Sequence, residues 1–191
     1  MGDPKTRNRL LDAAWDVAGE VGTADLTLAA VAARAGVSRQ AVYLHFGNRT
    51  TLLVEMARRA DRSSGFTRRL SASRGLPPRE GFRRMLDEWY AHVPVILPTA
   101  RALEAAATVG ADGREAYTDR MTDWRAGVRV AVARLADAGQ LADGWDVDDA
   151  TDWVWAQVHP ATYHHLVAER GWPPEKAAST VIAVLERTLL R

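Results

Sequence analysis

The chain reads as an all-α protein: an N-terminal three-helix helix-turn-helix head joined to a larger C-terminal helical domain. Three observations predict this. Apolar residues recur at spacings of three and four along nearly the whole sequence, as they do on helices with one buried face. No segment alternates apolar and polar residues in the period-2 pattern of a half-buried strand. Glycine and proline cut the pattern into helix-sized pieces.

Taken in order, residues 5–21 place Leu10, Leu11, Ala14, Val17, Ala18 and Val21 on one face, and Gly22 ends the helix. Thr27 N-caps a short helix whose inward positions are Leu28, Val31, Ala32 and Ala35. Gly36 supplies a residue free to take positive φ in the next turn. Val37 plugs the angle between the helices, and Ser38 caps the following helix, Arg39 to Phe46. Gly47 stops that helix and Asn48 caps a connecting helix over 49–70, with Leu52, Leu53, Met56, Ala57 and Ala60 inward. The stretch SASRGLPP, residues 71–78, is the expected boundary. The domains are therefore read as 1–48 (head), 49–78 (connecting helix and linker) and 79–191 (C-terminal domain).

Beyond the boundary, one helix runs from Pro78 to about Val93, burying Phe82, Met85, Leu86, Trp89 and Val93, and Pro94 ends or kinks it. Pro98 opens the next, which stops near Gly110. A long helix follows from about Gly113 to Ala138. The next starts among Asp146, Asp148 and Asp149, whose charges suit a helix N-terminus, and reaches about Ala168 with a kink at Pro160. The last helix, Glu175–Leu190, carries Ala178, Val181, Ile182, Leu185 and Leu189 as an apolar seam.

Composition narrows the function. With 47% hydrophobic and 26% charged residues this is an ordinary globular balance. No apolar run approaches the ~20 residues of a membrane span, the N-terminus lacks the apolar core of a secretory signal, and cysteine is absent; a cytoplasmic protein is expected. The net charge is +1, but residues 1–74 hold 12 Lys/Arg against 7 Asp/Glu, whereas residues 75–191 hold 13 against 17. The positive part is the part with the helix-turn-helix, as a phosphate-binding surface requires. Arginine outnumbers lysine 23 to 2, an excess in keeping with a GC-rich genome rather than with function.

Catalytic signatures are missing: there is no phosphate-cradling glycine loop, GxSxG elbow, cysteine nucleophile or dinucleotide fingerprint. A metal site is not expected either. His164 and His165 are adjacent and point about 100° apart on a helix, His159 lies five residues before His164 across a proline, and no HExxH pattern occurs.

A short helix opening with Ser38, Arg39 and Gln40 and carrying Tyr43 suits the DNA major groove. Arg and Gln have the forked geometry that base edges demand, while Ser and Tyr reach phosphates. Gly36-Val37-Ser38, Val42-Tyr43, His45-Phe46, Asn48-Arg49 and Leu52-Leu53 together resemble the DNA-binding domain of the tetracycline-repressor (TetR) family, over roughly residues 5–60. Two positions depart from the family pattern. Arg49 stands where Lys is usual, and Thr50 and Thr51 stand where acidic residues are common.

The resemblance implies a homodimeric regulator that binds a palindromic operator in double-stranded DNA and is released by a small organic effector, with no cofactor and no membrane. Arg39 and Gln40 are assigned to base edges, and Val42 to a thymine methyl or the groove wall. Thr27, Ser38, Tyr43, His45 and Arg49 are assigned to phosphates. Ala41 allows close approach, while Leu44 and Phe46 serve the core of the head. Lys5, Arg7 and Arg9 stand where they can meet phosphates. The family pairs its C-terminal helices across the dimer, which implicates Ala178, Val181, Ile182, Leu185 and Leu189; the alternative is that this seam packs only within its own subunit. The family also encloses a pocket in its middle helices, for which the aromatic-rich region offers Trp89, His92, Leu103, Met121, Trp124, Trp155, His159 and Tyr163, suited to an apolar or aromatic compound. The alternative is an architectural DNA-binding protein without effector control.

Overall fold

The computed structural model describes residues 3–191. Among these the chain forms ten α-helices: α1 Pro4–Val21, α2 Leu28–Ala35, α3 Arg39–Phe46, α4 Arg49–Ser63, α5 Phe66–Ser73, α6 Pro78–Val109, α7 Ala111–Asp137, α8 Val147–Gln157, α9 Pro160–His164 and α10 Pro174–Leu189. A π-helical turn, His165–Glu169, follows α9. The all-α reading holds. No described helix is long and apolar enough to cross a membrane.

The helices assemble into two compact units. The first contains the chain up to Ala60 together with Pro98–Asp119; the second contains Asp61–Leu97 and Arg120–Arg191. The boundary expected at 71–78 is instead the turn between α5 and α6, inside the second unit. Glycine and proline there make a tight corner, which composition alone cannot tell from a linker.

The first unit is built on a continuous apolar core. Leu10, Leu11, Ala14 and Val17 of α1 meet Leu28, Val31 and Ala32 of α2, Val42 and Phe46 of α3, and Leu52, Leu53 and Met56 of α4. Ala102 and Leu103 from the end of α6 join it, with Trp15 and Tyr117 packed at its margin. The α6–α7 hairpin turns so closely that a Cβ on Gly113 would lie 2.1 Å from the Ala106 carbonyl oxygen. Only glycine permits that approach.

In the second unit Phe82, Met85, Leu86, Trp89 and Val93 of α6 are buried, as are Val128, Val132 and Leu135 of α7 and Ala150 and Val154 of α8. The chain end is tied down by backbone bonds from Ala142 N to Leu189 O at 2.8 Å and from Arg191 N to Gln140 O at 3.1 Å.

Four sequence expectations change. The connecting helix is not continuous over 49–70: Gly65 takes φ +73° and separates α4 from α5. Pro94 and Pro98 neither end nor interrupt a helix, because α6 runs through both. Each proline removes a helical hydrogen bond, but both are exposed, while Val93, Ile96, Thr99, Ala102 and Leu103 on the inner face are buried. Burial of that face outweighs the lost bonds. At Pro160 the effect runs the other way. The residue before a proline is driven out of the helical region, His159 takes ψ 139°, and the helix breaks completely between α8 and α9.

The fourth change concerns the C-terminal seam. Val181, Ile182, Leu185 and Leu189 are buried within the protomer, and Ala178 is half-buried. The seam faces the chain's own core. Periodicity marks a buried face but not what buries it.

These packing details predict opposite outcomes for two glycine substitutions. Gly113→Ala should destabilise the protein by about 1–3 kcal/mol, as overpacking against backbone does. Gly127→Ala, in the interior of α7 with open space around it, should stabilise it by about 0.5–1 kcal/mol. Urea unfolding midpoints of the two variants check both signs.

Candidate DNA-binding surface

Helices α2 and α3 are joined by a turn in which Gly36 adopts φ +65°. The Thr27 Oγ1 accepts from Ala30 N at 3.1 Å, and the Ser38 Oγ accepts from Ala41 N at 3.2 Å. Both hydroxyls thus satisfy orphan N–H groups at helix starts. Val42 is fully buried and Phe46 nearly so, while Arg39, Gln40, Tyr43 and Leu44 form the exposed face of α3.

Within that face the Arg39 Nη2 donates to the Tyr43 hydroxyl at 3.0 Å, and its guanidinium lies 5.3 Å from the Tyr43 ring centre. Stacking orders a side chain that is otherwise flexible. The Gln40 amide is exposed and hydrogen-bonds to no described residue. Two assignments are corrected here. Val42 cannot touch a thymine methyl, because it lies in the core of the head. Leu44 does not serve that core; it is 77% exposed.

Several basic residues expected at phosphates are occupied within the head. Arg49 donates through Nε to Leu26 O at 2.7 Å and through Nη2 to Thr23 O and Ala24 O at 2.6 and 2.9 Å. Its fork closes the corner between α1 and α2, so it is not a free phosphate ligand. Arg7 pairs with Glu55 and lies over the Phe46 ring. Burial would raise the Glu55 carboxyl, but Arg7 and Arg58 hold it below its ordinary value. Lys5 and Arg9 at the start of α1 are exposed and pair with no described carboxylate. His45 is half-buried beside Phe46.

Residues 10–56 match the profile of the bacterial regulatory proteins of the TetR family, the segment that holds the α2–α3 turn and the exposed face of α3. This segment is similar to the DNA-binding domain of that family. No curated protein sequence matches the chain. Solved structures with the same fold include a Rhodococcus protein classed as a TetR-family transcriptional regulator (TM-score 0.76, 21% identity, covering 98% of this chain and 100% of that one). A transcriptional regulator from Saccharomonospora viridis, solved with choline, aligns with TM-score 0.78 and 18% identity over 99% and 100% of the two chains. SmeT of Stenotrophomonas maltophilia, solved with triclosan, aligns with TM-score 0.75 and 22% identity over 98% and 92%. TetR-family regulators are DNA-binding proteins and not enzymes.

Beyond the head, four of the aromatic and histidine side chains form one cluster. Trp89 stacks on Trp124 with ring centres 4.0 Å apart, Phe66 stacks on His92 at 4.2 Å, and Phe66 lies 6.2 and 6.4 Å from Trp89 and Trp124. Trp155 lies edge-on to His159, and Tyr163 neighbours Tyr90. Met121 is half-buried. Leu103 is corrected: it belongs to the core of the head unit. The His159 Nδ1 accepts from Ala161 N and so caps α9. His164 and His165 both lie against Glu169.

Sequence reading missed a buried polar network in the second unit. His92, 1% exposed, donates from Nε2 to Asp61 Oδ1 at 2.8 Å, and its Nδ1 lies 3.3 Å from Ser64 Oγ. The other Asp61 oxygen accepts from Arg120 Nη2 at 2.9 Å. Burial would raise the Asp61 carboxyl, but His92 and Arg120 hold it below its ordinary value. The available signal was an acidic residue beside the apolar stripe of α4, one position after Ala60.

Two substitutions test these roles. Arg49→Ala should destabilise the head by roughly 1–3 kcal/mol through the lost carbonyl partners, and leave the salt dependence of DNA binding unchanged, because no phosphate contact is lost. Thermal unfolding and binding across a salt series separate the effects. Asp61→Asn should cost roughly 1–3 kcal/mol at pH 7. A depressed carboxylate contributes stability above its unfolded pKa and loses it as pH falls through the lower folded value. The gap between wild type and Asp61→Asn should therefore narrow below about pH 4, as read by urea titrations across pH.

Proposed function

We infer that the protein is a homodimeric transcriptional repressor. It binds a palindromic operator through α3 of each head and is released when a small organic effector binds its C-terminal helical region. The observation that carries this reading is the outward face of α3, where Arg39, ordered by Tyr43, stands beside the unengaged amide of Gln40. Arg presents two donors to guanine O6 and N7, and Gln matches adenine N6 and N7. Ser38, Tyr43 and His45, with Thr27 at the start of α2, fix that face against phosphates. Lys5 and Arg9 add charge.

An eight-residue helix reads few base pairs. Twofold pairing doubles the contacts and sets the two recognition helices about one DNA turn, ~34 Å, apart. Dimerisation calls for a face of the C-terminal helices other than the buried seam of α10. Effector control is supported by SmeT, the repressor of a multidrug efflux pump, solved with triclosan, and by the S. viridis regulator, solved with choline. In this chain the stacked rings of Trp89 and Trp124, linked to His92 through Phe66, suit a flat apolar or aromatic compound. The Trp124 Nε1 is buried without an acceptor, so an effector bearing a hydrogen-bond acceptor would satisfy it. A regulator of this kind works in the cytoplasm, where its operator is.

Selection of the full chain against randomised duplex DNA tests the reading. A palindrome with half-sites one turn apart is expected. Arg39→Ala should then cost roughly 1–3 kcal/mol and relax preference at one position per half-site. Enrichment of no sequence, with binding that disappears at moderate salt, would favour an architectural DNA binder instead.

A further inference from the structure

Leu44 is the anomaly on the recognition helix. A leucine so far out of the core gains nothing for folding, and on α3 it is not scattered among neutral surface. It lies one helical turn after Gln40 and next to Tyr43, on the face from which Val42 and Phe46 are excluded by burial. Residues four apart on a helix are neighbours on one side. Gln40 and Leu44 thus present an amide fork and a branched apolar tip about 6 Å apart along the axis, a separation of about two base-pair steps.

We propose that Leu44 is a specificity-determining residue that packs on a thymine 5-methyl group, within two base pairs of the base whose edge Gln40 reads. The major groove offers one apolar feature, that methyl. An isobutyl side chain held on the exposed face of a groove helix has no polar atom with which to read anything else. With Val42 buried and the side chain of Ala41 ending at its Cβ, Leu44 is the longest aliphatic side chain of α3 outside the core. The result is a preference for T over C at one position in each half-site, made by shape and desolvation rather than by hydrogen bonds. The assignment rests on the reading of α3 as a major-groove helix.

The experiment uses the full chain and the duplex recovered by selection. Each thymine of a half-site is replaced in turn by deoxyuridine, which removes the methyl and leaves every hydrogen-bonding group in place, and affinity is read by fluorescence anisotropy. Wild type should weaken roughly fourfold per half-site at one thymine position. Leu44→Ala, a surface change that leaves the fold intact, should bind more weakly and show no difference between T and U there. Leu44→Met, which keeps an apolar tip, should retain part of the discrimination. Indifference of wild type to uracil at every position, or an undiminished T-over-U preference in Leu44→Ala, overturns the assignment alone. Failure to enrich any sequence overturns the regulator reading and this assignment together.

Discussion

An eight-residue helix has little stability of its own in water, and α3 exists because Val42 and Phe46 are inserted into a core made by α1, α2 and α4. That requirement governs the DNA-facing surface. Burying Val42 sets the rotation of the helix about its axis, and a residue two positions on then points roughly 200° away. Leu44 faces outward for that reason, and Gln40 and Tyr43 flank it. The caps at Thr27 and Ser38, the left-handed turn at Gly36 and the fork of Arg49 on the α1–α2 corner all hold one packing arrangement. The groove-facing side is whatever that arrangement leaves outside.

The same constraint sorts the arginines. Arg7, Arg49 and Arg59 each engage the head itself, with Arg59 donating to Asn8 O and pairing with Asp12. The largely exposed Arg59–Asp12 pair adds little stability, unlike the Arg49 fork on three carbonyls, but all three engagements remove cations from the set available to phosphates. The charge excess of the first 74 residues therefore overstates the binding charge. Lys5, Arg9 and Arg39 are the better measure of it, and placement on α1 and α3 matters more than the sum.

Legibility followed the nature of each interaction. Helical periodicity located α1, α7 and α10 nearly to their ends, and the caps at Thr27 and Ser38 and the turn at Gly36 were readable because backbone N–H groups and positive φ restrict the residue types allowed. The azimuth of Leu44 was also available, since Val42 and Phe46 at i and i+4 define the inner face. Assigning a thymine methyl to Val42 ignored that wheel. Other features depend on long-range partners that no local pattern carries. Pro94 and Pro98 are strong local stops, overridden by burial of the opposite face of α6. The α10 seam was visible as apolar, but whether a partner or the chain itself covers it is a tertiary fact. The Asp61–His92–Arg120 network joins residues up to 59 positions apart, and Arg49 has the charge of a phosphate ligand until the carbonyls it meets are known.

Those last two features bear on how α4 behaves. Its first turn is held within the first unit by Arg49, and its last turn is held within the second by Asp61. The apolar stripe between them, Leu52, Leu53, Met56, Ala57 and Ala60, is buried but non-directional, because hydrophobic contact scales with area and not with angle. Rotating or sliding α4 by a fraction of a turn would exchange one apolar contact for another along the stripe. At the ends the same motion breaks Arg49 from three carbonyls and Asp61 from two partners, leaving polar groups unpaired at a cost of about 1–3 kcal/mol each. Arg49 therefore fixes the register of the first turn within the first unit, and Asp61 that of the last turn within the second, where the stripe cannot.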